Sequence, residues 1–357
     1  MLTATVARAA ASPAATPIDI TPDVSEAAWE DFVSGHPAAT GYHAWRWRHV
    51  FERAFGHETI YLAAREAGRI VGVLPLVVFR SRLFGRFAVS LPFVNYGGVC
   101  ADDEGIARLL VGRARAIAGD ERLTHVELRH VARRFGELPV RQHKVGMFLP
   151  LERDAARMWD RLDRKVRNQV RKAEKSELTA RAGGVELLDR FYAVFARNMR
   201  DLGTPVYPVR FFQHVLQQFP GTARVWLVDR GDVTVAGAIA LVHRTTVEVP
   251  WASSLREYRS LCPNNLLYWR VIEDAIASGM TTFDFGRSTP HEGTYAFKQQ
   301  WGAQPEPLHW EYALVGRRDV PDVSPANPRF RAAIAIWKRL PLRLTTAIGP
   351  HIVRAIP

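Results

Sequence analysis

Apolar residues in the first half of the chain recur with a helical period in some stretches and alternate, or run together, in others. Apolar positions near one face predict a helix over 42–55, which Gly56 ends. Two strand-like runs meet at Ala67 and Gly68. In chain order we predict strands 59–65, 69–79 and 86–91, a helix over 103–118 and a strand over 123–129.

The second half repeats this order of elements. We predict helices 187–200 and 209–218, strands 223–229, 233–242 and 246–252, a helix over 265–278, a strand over 281–285, a helix over 294–301 and a strand over 308–314. At a constant offset of 165, Leu62, Arg65, Gly72, Leu76 and Val77 fall on Leu227, Arg230, Gly237, Leu241 and Val242. Farther on, and at an offset of 158, the strand 125–129 falls on 283–287. The agreement predicts an α/β (α+β) chain made of two copies of one unit, each a mixed sheet flanked by helices.

Composition narrows the class of protein. The 357 residues are 47% hydrophobic and 24% charged, which excludes a largely disordered chain. The formal net charge of +12 points to a polyanionic partner. Two cysteines cannot build a disulfide scaffold or a four-cysteine zinc site, and the twelve histidines show no metal-ligand spacing. We expect a cytoplasmic protein with a flexible lead over 1–20, no signal peptide and no membrane span.

The most distinctive stretch runs from Phe283 to Gly302, where a strand enters a turn and a short helix follows with Thr294 as its expected N-cap. Lys298 is expected to overlook the carboxyl end of the strand, where its ammonium can stabilise a developing oxyanion. Asp284 can orient Lys298 or accept a proton. The plainer interpretations are an exposed helix lysine and a carboxylate that caps the following turn.

These residues resemble a known family. Phe283-Asp-Phe-Gly-Arg287, Gly293, Phe297-Lys298 and Trp301-Gly302 are similar to the end of the FemAB-type transferases, and Asn95-Tyr-Gly-Gly98 and 165–173 fit upstream. The whole pattern is most similar to FemAB-related proteins that accompany exosortase (PEP-CTERM) and exopolysaccharide loci. The resemblance implies two tandem GNAT-like domains, over 21–150 and 151–315, and a basic tail over 316–357.

The resemblance also implies a chemistry. Such enzymes move an aminoacyl group from aminoacyl-tRNA onto an amine of a cell-wall precursor, without a metal or redox cofactor, and Lys298 would meet the charge that forms on the carbonyl. We predict that Lys298 and Asp284 are catalytic. The predicted substrate-binding residues are Asn95, Tyr96, Arg287, His291 and Phe297.

Residues that could bind the phosphates of a donor lie in two places. A basic helix over 158–177 carries Arg164, Lys165 and Arg171, which can form a phosphate track or simply a solvated face. The loop from Arg259 to Asn265 precedes a helix but contains no glycine, and its proline removes one backbone donor, which counts against CoA. Arg259 and Asn265 could still contact phosphate, although Asn265 can equally serve as a helix cap.

The tail has six basic residues and no acidic one over 323–357. Phe330, Ile334, Trp337 and Leu344 lie near one helical face, and Pro341 should break the helix. Such a segment can lie on an anionic leaflet or pack on the protein itself.

The leading hypothesis is a transferase that forms an amide on an amino group of a nucleotide- or lipid-linked glycan precursor of the cell envelope or of an exopolysaccharide. Aminoacyl-tRNA is the leading donor. The alternatives are an acyl-CoA-dependent N-acyltransferase and a non-catalytic protein that binds a glycan or polyanion.

Overall fold

The computed structural model describes residues 17–81, 84–316, 319–320 and 328–356. The first half contains β1 (Ile18–Thr21), α1 (Glu26–Gly35), α2 (Arg46–Phe55), β2 (Glu58–Glu66), β3 (Arg69–Ser81), β4 (Gly85–Val89), β5 (Cys100–Ala101), α3 (Glu104–Asp120), β6 (His125–His130) and β7 (Val140–Arg141). The second half contains β8 (Val145–Pro150), α4 (Ala155–Arg161), α5 (Arg164–Lys175), β9 (Leu178–Gly183), α6 (Leu188–Leu202), α7 (Val209–Gln218), β10 (Ala223–Arg230), β11 (Val233–His243), β12 (Thr246–Ser254), α8 (Pro263–Ala277), β13 (Thr282–Ser288), α9 (Gly293–Gln299), β14 (Gln304–Pro307) and β15 (His309–Leu314). Two helices follow in the tail, α10 (Pro328–Trp337) and α11 (Leu342–Val353).

The strands form two mixed sheets whose central strands are arranged in the same way. The first sheet has the order β1-β2-β3-β4-β6-β15-β7, with β5 beside β3, and the second has the order β14-β8-β13-β12-β11-β10-β9. In each sheet one central pair is parallel, β4 with β6 and β12 with β13, and a helix connects the two strands of that pair, α3 or α8. The predicted α/β class and the repeated unit are confirmed.

The two predicted domains exchange a strand. β15 comes from the end of the predicted second domain, 151–315, but pairs with β6 in the first sheet, and β8 ends the predicted first domain, 21–150, but pairs with β13 in the second. The sheets therefore do not follow the boundary predicted at 150/151, and the strand predicted over 308–314 belongs to the first sheet. The physical reason is packing: Met147 and Leu149 of β8 are buried in the core of the second sheet.

A shared aromatic core joins the halves. Phe51, Phe55 and Phe93 from the first half lie in one buried cluster with Phe211 and Trp251 from the second. The rings of Phe93 and Phe211 are 6.3 Å apart, and those of Phe211 and Trp251 are 5.3 Å apart. Burial of such rings contributes strongly to stability, so the two units form one body with a fixed junction.

Two predicted helices are divided in the structure. The basic helix predicted over 158–177 is split into α4 and α5, because Leu162 has an extended backbone and Asp163 begins a new helix by accepting from the Lys165 N–H at 2.6 Å. The helix predicted over 42–55 begins as a separate 3₁₀ turn, Gly41–His43, which Thr40 caps, and α2 starts only at Arg46. The 3₁₀ turn matters below because it fixes Tyr42.

The ends of the chain also differ from expectation. Within the predicted flexible lead over 1–20, residues from Ile18 onward form β1 and pair with β2, and 1–16 lie outside the described residues. In the tail, Pro341 separates α10 from α11 as predicted. Thr345, Gly349 and Val353 on one face of α11 are buried, and Gly349 lies against Val206. No helix in the described part of the chain is both long and apolar enough to cross a membrane.

Candidate active site

Two buried carboxylates stand side by side at the junction. Glu248 on β12 and Asp284 on β13 are direct partners in the parallel ladder, and both are buried. Partners in a ladder point to the same face of the sheet, so both carboxylates face the first half of the chain. Asp284 was predicted from the sequence, whereas Glu248 was not.

Three side chains of the first half hold these carboxylates. The Tyr42 hydroxyl donates to Glu248 Oε1 at 2.7 Å, and the Asn95 amide donates to the same oxygen. The Tyr96 hydroxyl donates to Asp284 Oδ2 at 2.8 Å. The predicted substrate-binding residues Asn95 and Tyr96 therefore contact these two carboxylates directly.

Gly286 makes room for this contact. Its N–H donates to Asp284 Oδ1 at 2.7 Å, and its φ of +71° lies in the region that favours glycine. The ladder between β12 and β13 ends at Glu248 and Asp284, and beyond it a Cβ on Gly286 would come within 2.8 Å of Asn95 Nδ2 and 3.4 Å of the Val249 carbonyl oxygen. Asn95 thus fills the gap where the two parallel strands separate.

Lys298 completes the group from α9. Its Nζ donates to the carbonyl oxygens of Gly286 and Arg287, at 3.1 and 3.0 Å. An ammonium has three hydrogens, so one remains for a ligand beyond these two bonds. The side chain is only 7% exposed, whereas the sequence suggested an open position. The helix also starts one residue earlier than predicted, at Gly293 after Glu292 as the N-cap residue, and not after Thr294.

Burial sets the protonation of the site. It raises the pKa of Asp284 to about 6, against the lowering effect of the Tyr96 and Gly286 hydrogen bonds. Burial, and then the charge of Asp284, raises the pKa of Glu248 well above its ordinary value. Burial lowers the pKa of Lys298 to about 8, although Asp284 favours its charged form. Near pH 7 the site therefore contains a mostly ionised Asp284 and a mostly charged Lys298, and burial shifts the equilibrium of Glu248 toward its protonated form.

Two recesses meet at Tyr96. A cavity of about 470 Å³ lies between the halves, and Tyr42, Tyr96 and Glu248 are part of its wall together with Trp47 and Phe219. A second recess of about 380 Å³ shares Tyr96 and also includes Phe148 and Glu306. The Tyr96 hydroxyl is therefore the group through which a ligand in either recess can reach Asp284.

The other predicted substrate-binding residues have different surroundings. Arg287 is near the site, and its Nη1 donates to the Val94 carbonyl at 3.4 Å. Phe297 packs on Tyr268, with ring centroids 5.5 Å apart. His291 is exposed in the turn before α9. The main-chain oxygen of Arg287 contacts Lys298, while its side chain points to Val94 and the Trp310 ring, and Phe297 mainly supports the helix that carries Lys298.

The predicted donor-binding residues are only partly gathered. Arg164 and Lys165 share an open concavity of about 500 Å³ at the start of α5 with Asn168, Gln169 and Lys172. Arg171 lies apart from it, 5.3 Å from the Trp159 ring. Arg259 is exposed in the 3₁₀ turn Arg256–Leu261, and the buried Asn265 donates to Gln169 at 3.2 Å.

The start of α8 offers few donors to a phosphate. Pro263 has no N–H, and the N–H groups of Asn265 and Leu266 both donate to the Cys262 carbonyl, at 3.0 and 3.4 Å. Helix N-termini bind phosphate through free N–H groups. The start of α8 therefore has few free N–H groups for a pyrophosphate, as expected from a loop without glycine.

Sequence reasoning missed Glu248 and Tyr42. Residues Val247 to Val249 are buried without alternation, so the only available signal was a charged residue within an apolar strand. Tyr42 carried no signal, because its partner lies 206 positions away in the chain.

Comparison with known proteins identifies the fold. A family model described as an acetyltransferase (GNAT) domain matches residues 160–299. The crystal structure of FemX is similar, with a TM-score of 0.63 and 15% identity over 83% of this chain and 97% of that chain. The chain has a tandem GNAT fold.

Two further structures of this fold are similar. A tandem GNAT protein from the clavulanic acid biosynthesis pathway has a TM-score of 0.53 and 13% identity, over 85% of this chain and 100% of that one. The C-terminal domain of a putative lysylphosphatidylglycerol synthetase from Agrobacterium fabrum has a TM-score of 0.55 and 10% identity, over 80% and 91%. A search of curated proteins gave no match.

Proposed function

We propose that this protein is an acyltransferase that forms an amide on an amino group, with aminoacyl-tRNA as the leading donor and a nucleotide- or lipid-linked envelope or exopolysaccharide precursor as the acceptor. The observation that carries the proposal is the group of Asp284, Glu248 and Lys298, buried together at the junction of two GNAT-like units. A protein that only bound glycans would gain nothing from two adjacent buried carboxylates, because burying charge is costly. We place the enzyme in the cytoplasm, at the inner face of the membrane.

Asp284 is the proton acceptor in this mechanism, and Tyr96 relays the proton. The attacking amine must lose a proton to form a neutral amide. Its proton passes to the Tyr96 oxygen while the Tyr96 hydroxyl proton moves to Asp284 Oδ2, 2.8 Å away. This transfer accompanies formation of the bond between the amine nitrogen and the acyl carbon. As the tetrahedral intermediate collapses and the bond to the donor oxygen or sulfur breaks, the leaving atom takes the proton back from Asp284 through Tyr96, which leaves a neutral alcohol or thiol and an ionised Asp284. An ionised Asp284 near pH 7 is suited to this role.

Lys298 and Glu248 act on the other partners of the reaction. The carbonyl oxygen of the donor gains negative charge as the amine attacks, and the uncommitted N–H of Lys298 can donate to it. Glu248 lines the cavity between the halves, and the raised pKa of its carboxyl group favours the protonated form, which can donate a hydrogen bond to the acceptor.

Two features favour aminoacyl-tRNA over acyl-CoA. Asn95 fills the gap between β12 and β13, and the start of α8 has few free N–H groups for a pyrophosphate. The concavity beside Arg164 and Lys165 is wide, open and basic, as a nucleic-acid contact requires. An acyl-CoA donor is the rival hypothesis. A thermal-shift screen with charged tRNAs, acyl-CoAs and nucleotide sugars tests the donor class, since a true ligand at 100 times its Kd stabilises by about 2.7 kcal/mol.

Charge reversal at the basic concavity should separate the two donors. We expect Arg164→Glu with Lys165→Glu to weaken tRNA binding and to reduce the slope of log K against log salt by about 1 per lost phosphate contact. Binding of acetyl-CoA should be unaffected. Arg113→Glu with Arg115→Glu, on the exposed face of α3, is the matched control. Equal loss in both double variants would mean that only net charge matters, and micromolar acetyl-CoA binding with acetyl transfer would reverse the ranking of donors.

The tail presents a basic, apolar surface that suits an anionic membrane. Opposite its packed face, α11 exposes Leu344 and Ile348, each at 40%, and α10 exposes Ile336 at 62%. Lys338, Arg339 and Arg343 are exposed on the same two helices or between them. Each cation near an anionic leaflet contributes about 1 kcal/mol, which gives reversible attachment.

Point variants can test this contact without unfolding the packed face of α11. Leu344→Ser with Ile348→Ser should reduce co-sedimentation with phosphatidylglycerol vesicles severalfold, because two apolar anchors are lost. Binding by the wild type should also fall between 0.1 and 1 M salt, as the Debye length shortens from about 10 Å to about 3 Å. Leu109→Ser, at a 46% exposed position on α3, is the control. If the double variant sediments like the wild type, the tail does not bind the membrane.

A further inference from the structure

Two arginines, Arg129 and Arg287, lie at the junction of the two halves, close to the site that contains Lys298. Arg129 on β6 has an exposed fraction of 0%. Its Nε donates to Glu127 Oε1 at 2.7 Å, whereas Nη1 and Nη2 are buried and have no hydrogen-bond partner within the structure. Two donors of a fully buried guanidinium are thus uncommitted.

One indole ring links this arginine to the active site. Trp310 on β15 is the ladder partner of Arg129, and the Arg129 Cζ lies 4.1 Å from its ring centroid. The Cζ of Arg287, from the second sheet, lies 5.6 Å from the same ring. Trp310 Nε1 is also buried and has no hydrogen-bond partner among the described residues. Each half of the chain therefore contributes one guanidinium to the same place, and the strand exchange of β15 supplies the ring between them.

The positive charge here exceeds what the neighbouring protein groups neutralise. Glu127 binds the Nε of Arg129, and among the described residues the Arg287 side chain has only a long hydrogen bond, to the Val94 carbonyl at 3.4 Å. Burial, and then the charge of Arg129, lowers the pKa of Arg287. Arg129 is fully buried and Arg287 is half-buried, and two like charges held together in this way without full pairing oppose folding. Contacts with the indole face offset part of this cost but use none of the free N–H groups.

We propose that Arg129 and Arg287 form an oxoanion subsite that binds a carboxylate or phosphate group of the substrate. Guanidinium groups present paired N–H donors that match both kinds of oxoanion, and the indole N–H of Trp310 adds a further donor. The proposal rests on the proposed function. It states that the substrate of the proposed transfer site carries a negatively charged group at a fixed distance from the reacting amine.

The subsite is continuous with the transfer site. The main-chain oxygen of Arg287 accepts from Lys298 Nζ at 3.0 Å, and its side chain reaches the Val94 carbonyl, next to Asn95. An anion held by Arg287 therefore anchors the substrate beside Lys298 and the carboxylates. Anchoring a non-reacting group in this way orients the reacting one.

Calorimetric titration with small phosphate and carboxylate anions tests the subsite without any turnover. Sodium pyrophosphate and orthophosphate form the phosphate arm, and acetate and succinate form the carboxylate arm. We expect saturable binding in at least one arm, weakened at least tenfold by Arg287→Met and by Glu127→Gln with Arg129→Met. The arm that binds identifies the source of the anion. Arg224→Met is the matched control, because Arg224 also lies over an indole, 5.3 Å from Trp226, but pairs with Asp274.

Melting temperature in anion-free buffer separates a ligand site from a structural one. Arg287→Met should melt at the same temperature as the wild type or higher, because it removes an incompletely paired buried charge. A fall in melting temperature, an absence of binding in both arms, or binding by the variants equal to that of the wild type would overturn the proposal. If any of these results is obtained while Lys298-dependent turnover persists, the oxoanion subsite is wrong but the proposed function is not. If the protein binds these anions at the subsite but forms no amide on any amine, the proposed function is wrong and the oxoanion subsite is not.

Discussion

Replacing Lys298 with methionine should lower kcat by about 10²–10³-fold, the usual effect of losing one donor to an oxyanion. Methionine keeps the apolar stem of the side chain but removes the ammonium that donates to the carbonyls of Gly286 and Arg287. The effect should fall on kcat more than on KM, because the negative charge forms only in the transition state. Single-turnover measurement of amide formation at saturating donor gives the number directly.

Burial of Lys298 makes a folding control necessary. Loss of the ammonium leaves two carbonyl oxygens unsatisfied, which should cost about 1–3 kcal/mol of stability. The rate is therefore measured well below the melting temperature of the variant. Gln299→Met is the matched control, because Gln299 is an exposed neighbour on α9 that donates only to the Tyr295 hydroxyl. Wild-type turnover by a folded Lys298→Met variant would exclude Lys298 from the chemistry.

The types and most boundaries of the helices and strands could be predicted because apolar residues recur along them with a strong period. The helix 209–218 has the predicted bounds, and β10, β11 and β12 differ from the predicted strands by one or two residues. Periodicity reports which residues are buried but not against which partner. The exchange of β8 and β15 between the sheets therefore could not be read from the sequence, and the domain boundaries predicted from the repeat do not coincide with the sheets.

Residues of the site could be predicted only where they are neighbours in the sequence and form a recognisable motif. The motif from Phe283 to Lys298 was recognisable because a strand that contains a glycine, a turn and a short helix follow one another in the chain. Glu248, Tyr42 and the Arg129–Trp310 contact depend on residues more than 150 positions apart. Burial of Lys298 follows from the approach of α9 to β13, which its own helical spacing does not reveal.

The pH dependence of the reaction should be bell-shaped. The pKa of Asp284 is raised to about 6, so below that pH the carboxyl group is protonated and cannot accept a proton, and kcat/KM should fall about tenfold per pH unit. The pKa of Lys298 is lowered to about 8, so above that pH the ammonium loses its charge and the rate should fall again. The maximum should lie near pH 7, measured with an acceptor amine at fixed saturation of the donor.

Variants at the two carboxylates decide which one gives the acidic limb. Asp284→Asn should lower kcat by about 10²–10⁴-fold and abolish that limb, leaving only the titration of the acceptor amine itself. Glu248→Gln preserves the acceptor oxygen for Tyr42 and Asn95 and imitates the protonated carboxyl, so the limb near pH 6 should remain. Because the two groups interact, the limb belongs to the pair, and a modest shift in Glu248→Gln is consistent with Asp284 as the base. If Glu248→Gln removes the limb and Asp284→Asn keeps it, then Glu248 is the proton acceptor, and Asp284 serves to position Tyr96.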